Sequence, residues 1–190
     1  MINVVIFGPP GAGKGTQSEK IIEKYGLNHI STGDLLRQEI ASGSELGERI
    51  KAKIDKGKLI SDELITDILI NELDSMGDVP GVIFDGFPRT VNQAEGLDKI
   101  LADRNTEVSI MIDLEVEEDE LIKRLLYRAE VAGRADDTID VIKKRLKVYH
   151  KKTEPVIDFY KKEGKFKKID GSGSVDEIFA RIDVVLKELS

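Results

Sequence analysis

Cysteine is absent from the 190 residues. Disulfides, thiolate nucleophiles and thiolate zinc sites are therefore excluded. No apolar run approaches the length needed to cross a bilayer; Val4 to Phe7 is typical of the longest. The opening Met-Ile-Asn-Val-Val-Ile-Phe lacks the basic flank and cleavage site of a signal peptide. It runs at once into glycines, so it reads as a core strand. No internal repeat or low-complexity segment occurs. Arginine is scarce, with 9 residues against 20 lysines. Net charge is −7 and the sequence pI about 5.1, which argues against a general nucleic-acid-binding surface. An acidic whole can still hold a small anion wherever a few cations converge. These absences fit a cytoplasmic protein with no membrane and no nucleic-acid partner.

What is present is the material of one compact domain: 40% hydrophobic and 34% charged residues. Short uninterrupted apolar strands are expected at Asn3–Phe7, His29–Ser31, Val82–Phe84, Val108–Leu114 and Phe166–Ile169. Helical patterns lie between them. One runs from the glycine-rich turn to Tyr25, with Gly26 as its stop. Two or three lie between Gly33 and Leu73, broken near Ser42-Gly43 and Lys56-Gly57. Others are expected at 90–104, 117–130, 138–162 and 175–189. Alternating strands and helices predict an α/β doubly wound fold around a parallel five-stranded sheet. Two stretches break the alternation, the helical insert near 31–60 and the polar connection 127–137, and both are candidate flaps.

The run Gly8-Pro9-Pro10-Gly11-Ala12-Gly13-Lys14-Gly15-Thr16 lies between a strand and a helix. Glycines let main-chain N–H groups turn onto an anion, and the helix start adds its positive end. Lys14 brings a full charge to the outer phosphates. The general phosphate-loop pattern has Ser or Thr directly after Lys; here Gly15 stands there and Thr16 follows. A second run, Val82 to Arg89, ends a buried strand on Asp85-Gly86. A carboxylate there faces the ligand crevice of an open α/β sheet and can hold Mg²⁺ through its water shell. The plainer reading is a turn-forming Asp-Gly pair. Arg37, Arg89, Arg124, Arg128, Arg134 and Arg145 are candidates for bidentate phosphate contacts. Each alone reads equally well as a surface residue, and Arg124 and Arg128, four apart, could decorate one helix face. His29 and His150 are isolated, and phosphoryl transfer does not demand an imidazole. The lysine-rich stretch 143–168 reads as a solvated face.

Six ordered blocks make the chain resemble the adenylate kinase family over essentially its whole length: GPPGAGKGTQ (8–17), STGDLLR (31–37), GKLISDEL (57–64), DGFPRTVNQAE (85–95), AGRADDTIDVIKKRL (132–146) and GSGSVDEIF (171–179). GKGT is the usual loop ending there. The resemblance implies a core of residues 1–30, 61–126 and 138–190, a monophosphate-binding insert at 31–60 and a short lid at 127–137. It implies that Gly11, Ala12, Gly13, Lys14, Gly15 and Thr16 wrap the ATP phosphates. Arg124 and Arg128 would join them, with Gly173 beside the adenine. AMP would be held by Thr32, Arg37, Lys58, Leu59, Ile60, Gly86, Phe87, Pro88, Arg89 and Gln93, with Arg134 and Arg145. Lys14, Arg89, Arg124, Arg134 and Arg145 would be catalytic. Asp136 and Asp137 would orient arginines, and the Phe87–Pro88 bond would be cis. Mg²⁺ would arrive with ATP and bind near Asp85. The lid is short and lacks cysteine, so no zinc is expected, and the enzyme would be a monomer.

The implied reaction is MgATP + AMP ⇌ 2 ADP. A UMP/CMP or other nucleoside monophosphate kinase is the alternative on the same scaffold. Those relatives usually differ at Thr32 and lack Gln93, whose amide can both donate and accept at an adenine edge. A switch protein with one nucleotide site is a further alternative, opposed by the second arginine set.

Overall fold

A computed structural model describes residues 1–133 and 138–189. Five parallel strands form one sheet in the order β2-β3-β1-β4-β5. They are β1 (Ile2–Phe7), β2 (Asn28–Ser31), β3 (Gly81–Asp85), β4 (Ile110–Glu115) and β5 (Phe166–Asp170). Nine α-helices connect and cover them among the described residues. They are α1 (Lys14–Tyr25), α2 (Thr32–Ala41), α3 (Glu45–Ile54), α4 (Asp62–Met76), α5 (Val91–Ala102), α6 (Glu118–Ala132), α7 (Ile139–Val148), α8 (Val156–Lys162) and α9 (Val175–Lys187). The expected α/β sheet and its five strands are thus present.

The contiguous apolar strands have a simple cause. Side chains alternate between faces, and both faces are buried, so every position must be apolar. Val5, Phe7, Val82, Phe84 and Met111 point into one core, shared with α2, α4 and α5. Val4, Ile6, Ile83, Ile110, Ile112 and Leu114 point into the other, shared with α1, α6, α7 and α9. β1 is the hub: it pairs with β3 on one side and β4 on the other, with Ile6 opposite Asp85 and Phe7 opposite Asp113. The chain leaves β1 between two crossovers of opposite direction, and the crevice opens there. β5 is an edge strand and carries exposed lysines at 167 and 168.

The stretch expected to hold two or three helices has three, α2 and α3 within 31–60 and α4 beyond it, with breaks close to the expected ones. Ser31 caps α2, accepting from the Asp34 N–H, and Ser44 caps α3, accepting from the Gly47 N–H at 2.8 Å. The single helix expected over 138–162 is instead interrupted. α7 passes into a π-turn at Tyr149–Thr153, closed by Glu154 N–H donating to Tyr149 O at 2.9 Å. Pro155 follows, which has no N–H to continue the ladder, and α8 restarts beyond it.

Candidate active site

The phosphate-binding candidate begins where β1 ends. Gly8 sits at φ 137°, and a Cβ there would lie 2.7 Å from Leu114 O, so β4 leaves room only for glycine. Gly13, in the left-handed region, ends the loop and starts α1 without a side-chain cap. The first N–H groups of α1 are thereby left for an anion. Lys14 Nζ donates back to Gly8 O at 2.9 Å and Pro9 O at 3.0 Å, which folds the ammonium over the loop. A Cβ on Gly15 would meet the Asp85 carboxylate only at an ordinary 3.8 Å. The departure from the general motif is therefore not forced by crowding.

Burial pushes the Lys14 ammonium down to about 8; Asp85 opposes that, while Arg89, Arg145 and Arg128 add to it. Arg89 is pushed down to about 10 by burial, then by Arg145 and Arg37, with Asp85 again opposing. Lys14, Arg37, Arg89, Arg128 and Arg145 thus share one electrostatic neighbourhood, although they come from α1, α2, the turn after β3, α6 and α7. Like charges at such density favour an anionic ligand. This is the convergence that arginine spacing alone left open.

A cleft runs from the loop to the insert. It is lined by Gly8, Pro10 and Lys14 on one side and by Thr32, Arg37, Lys58, Leu59, Ile60, Gly86, Phe87, Pro88, Arg89, Gln93 and Arg145 on the other. Every described residue expected at an AMP pocket therefore lines one cavity. Gly86, at φ 80°, lies under Thr32: an added Cβ would be 2.7 Å from its hydroxyl. Arg89 Nε donates to Gly86 O at 2.7 Å, and the Phe87–Pro88 bond is cis. Arg37 is paired with Asp34 on the same helix. The Gln93 amide is held at both ends, Oε1 by the Arg89 N–H at 2.6 Å and Nε2 by Asp62 at 2.7 Å.

Some expected residues lie elsewhere. Arg124 is not on the cleft; its Nε donates to Glu120 at 2.9 Å and a terminal nitrogen to Gly171 O at 3.1 Å. That places it beside the β5–α9 turn, which also carries Gly173 at φ 98°. Gln17 on α1 donates to Val175 O at 3.1 Å, so the turn adjoins the helix that follows Lys14. Arg134, Asp136 and Asp137 lie outside the described residues. Asp85 is buried at the end of β3. No group of three or more His, Cys, Asp or Glu side chains suited to a metal occurs among the described residues. One carboxylate fits Mg²⁺ that brings most of its ligands as phosphate and water.

The sequence reading missed Tyr149 and Thr153, which line the cleft four and eight residues after Arg145. It also set His29 aside as isolated, whereas its Nε2 lies 3.6 Å from Asp85 Oδ2. The one available signal was register: β2 runs beside β3, with Ser31 opposite Asp85.

Residues 6–165 match the model of the family described as adenylate kinase. Among curated proteins, one named adenylate kinase from Phocaeicola vulgatus is 59% identical, covering 100% of both chains. Another of that name from Bacteroides thetaiotaomicron is 61% identical over 96% of each. A third, from Maricaulis maris, is 49% identical over 98% of this chain and 100% of its own.

Proposed function

Because the chain belongs to the adenylate kinase family, we propose that the cleft is a two-nucleotide site with ATP on the loop and AMP on the insert side. The enzyme is a phosphotransferase that catalyses MgATP + AMP ⇌ 2 ADP. One observation carries the assignment of the site: Lys14, Arg37, Lys58, Arg89 and Arg145, from five segments, line one cavity between the phosphate loop and the Gln93 pocket.

In this reading the N–H groups of Gly11 to Thr16 hold the ATP phosphates. Lys14 swings from the Gly8 and Pro9 carbonyls to the outer ones. Arg128, with Arg124 and Gly173, completes the ATP side. Arg37, Arg89 and Arg145 fix the AMP phosphate, which is itself the nucleophile and already ionised, so no general base is needed. The residues differ in what they supply. Arg89 and Arg145 align the two phosphates in line; Lys14 and the arginines offset the charge that spreads over the moving group. Asp85 would hold Mg²⁺ brought with ATP through its water shell, and the ion would supply neutralisation of phosphate charge.

The AMP base is taken by Thr32, Lys58, Leu59, Ile60, Gly86, Phe87, Pro88 and Gln93. Residues 31–60 and 127–137 act as the two flaps, Arg134 with Asp136 and Asp137 completing the second. Their closure excludes water, the competing acceptor. No helix among the described residues is long and apolar enough to cross a membrane. With no cysteine present, thiolate zinc ligands are lacking; the enzyme is read, by the family resemblance, as a cytoplasmic monomer.

The test is an acceptor panel of AMP, GMP, CMP and UMP with MgATP as donor. AMP is expected to give the highest kcat/KM. A clear preference for UMP or CMP would overturn the base assignment.

A further inference from the structure

A primary amide is nearly symmetric in shape, and only its partners decide which end is oxygen. At Gln93 both partners are fixed. Oε1 accepts from the Arg89 main-chain N–H, and Nε2 donates to a carboxylate oxygen of Asp62. Reversing the amide would set its oxygen against the carboxylate and its NH₂ against an N–H. Both hydrogen bonds would become repulsions, the one with Asp62 costing most because that partner is charged.

The position of Asp62 is itself determined. It is the first residue of α4, directly after the cap Ser61. Thr90, the cap of α5, has its hydroxyl 3.5 Å from both Asp62 carboxylate oxygens. The carboxylate therefore stands between two helix N-termini, where negative charge is favoured. Gln93 is in the first turn of α5; its N–H donates to the Thr90 hydroxyl at 3.2 Å. Backbone and side chain of Gln93 are both anchored before any base arrives.

We propose that Asp62 is a positioning residue for base selection: it locks the Gln93 amide in the one orientation that accepts a 6-amino purine and rejects a 6-oxo purine. This rests on the reading of Gln93 as part of the AMP base pocket. The chemistry is a matter of polarity. With one N–H and one lone pair committed, the amide has one of each left for a base. Adenine offers an amino donor beside a ring-nitrogen acceptor. A 6-oxo purine offers an acceptor in place of that donor, and at its Watson–Crick edge the pattern is inverted. An amide free to turn would serve either base. A locked one serves only adenine.

Inosine monophosphate is the probe, because its base differs from adenine at the 6-position and the N1 proton alone. The readout is the ratio of kcat/KM for AMP to that for inosine monophosphate. A ratio taken on one preparation cancels any loss of folded enzyme. In Asp62→Asn the new side chain can donate or accept, so the lock weakens while the Arg89 N–H still biases it. The ratio is expected to fall about tenfold, and KM is expected to rise for AMP and not for ATP. Gln93→Leu should lower the ratio at least as far, and adding Asp62→Asn to it should change nothing more. An unchanged ratio in Asp62→Asn, with a fall in Gln93→Leu, would overturn the role of Asp62 and leave the AMP pocket standing. An unchanged ratio in Gln93→Leu would overturn the pocket assignment itself.

Discussion

On the proposed reading, the donor wall of the cleft is one unbroken run, residues 8–16, and what it offers a phosphate is mostly main-chain N–H. The acceptor wall is gathered from four runs, 32–37, 57–60, 86–93 and Arg145, and what it offers is side chains. The donor wall is fixed by its own geometry: Gly8 has no room for a Cβ beside Leu114 O, whatever the rest of the chain does. The acceptor wall exists only when α2, the turn after β3, α5 and α7 are all in place. Main-chain donors tolerate side-chain change around them, whereas a side-chain cluster fails residue by residue.

The sharpest way to break this contrast is a pair of single substitutions. Lys14→Met removes the one charged side chain of the donor wall, and Arg89→Ala a central one of the acceptor wall. Each is expected to lower kcat/KM by about 10³ with the fold retained, as checked by thermal melting. They should differ in binding. Nucleotide titration should show ATP still held by the loop N–H groups in Lys14→Met, and AMP affinity largely lost in Arg89→Ala. Near-normal turnover in either folded variant would contradict the role given to that residue.

A smaller effect separates the walls by pH. Lys14 titrates near 8 and Arg89 near 10 in the free protein. A phosphate prefers the protonated cation, so binding must take up a proton once pH exceeds the free pKa. KM for ATP is expected to rise about tenfold from pH 7 to pH 9, and KM for AMP to stay nearly level there. Parallel rises would erase the distinction.

An effect on stability rather than activity lies behind the donor wall, where Pro9, Asp113, Tyr149 and Glu154 line a second cavity. Asp113 Oδ1 is buried without a hydrogen bond. Burial, reinforced by Glu115, pushes its carboxyl up to about 6, with Lys168 and Lys14 opposing. A raised acid is protonated more readily folded than unfolded, so stability falls as pH climbs from about 4 to 6. Asp113→Asn is expected to gain about 2 kcal/mol at pH 7, and the gain should vanish at pH 4. Thermal melting at the two pH values reads it directly.

The sequence told the donor wall well and the acceptor wall only through family resemblance. Gly8 to Thr16 carry their context with them, a strand before and a helix after. Arg37, Arg89 and Arg145 carry none, because a guanidinium is equally at home beside a surface carboxylate. Apolar runs located the strands, since both faces of the sheet are buried. The continuous helix expected over 138–162 failed at Pro155, whose effect reaches back through the π-turn to Tyr149. Tyr149 and Thr153 follow Arg145 at four-residue spacing into the cleft, a pattern that means something only once Arg145 is placed there. Asp62 was legible only as part of a block; its meaning needed the distance to Gln93.

The placement of β1 at the centre of the sheet has a consequence for how the protein is made. Its neighbours β3 and β4 are both later in the chain, and β2 pairs with β3, so Ile6 waits for Asp85, about 80 residues on, before any ladder can form. At 5–20 residues per second the ribosome takes on the order of ten seconds to cover that gap. Throughout it Val4, Val5, Ile6 and Phe7, buried in the finished protein, have no strand to lie against. The strand on which the phosphate loop is mounted is the one the nascent chain must keep from other partners longest.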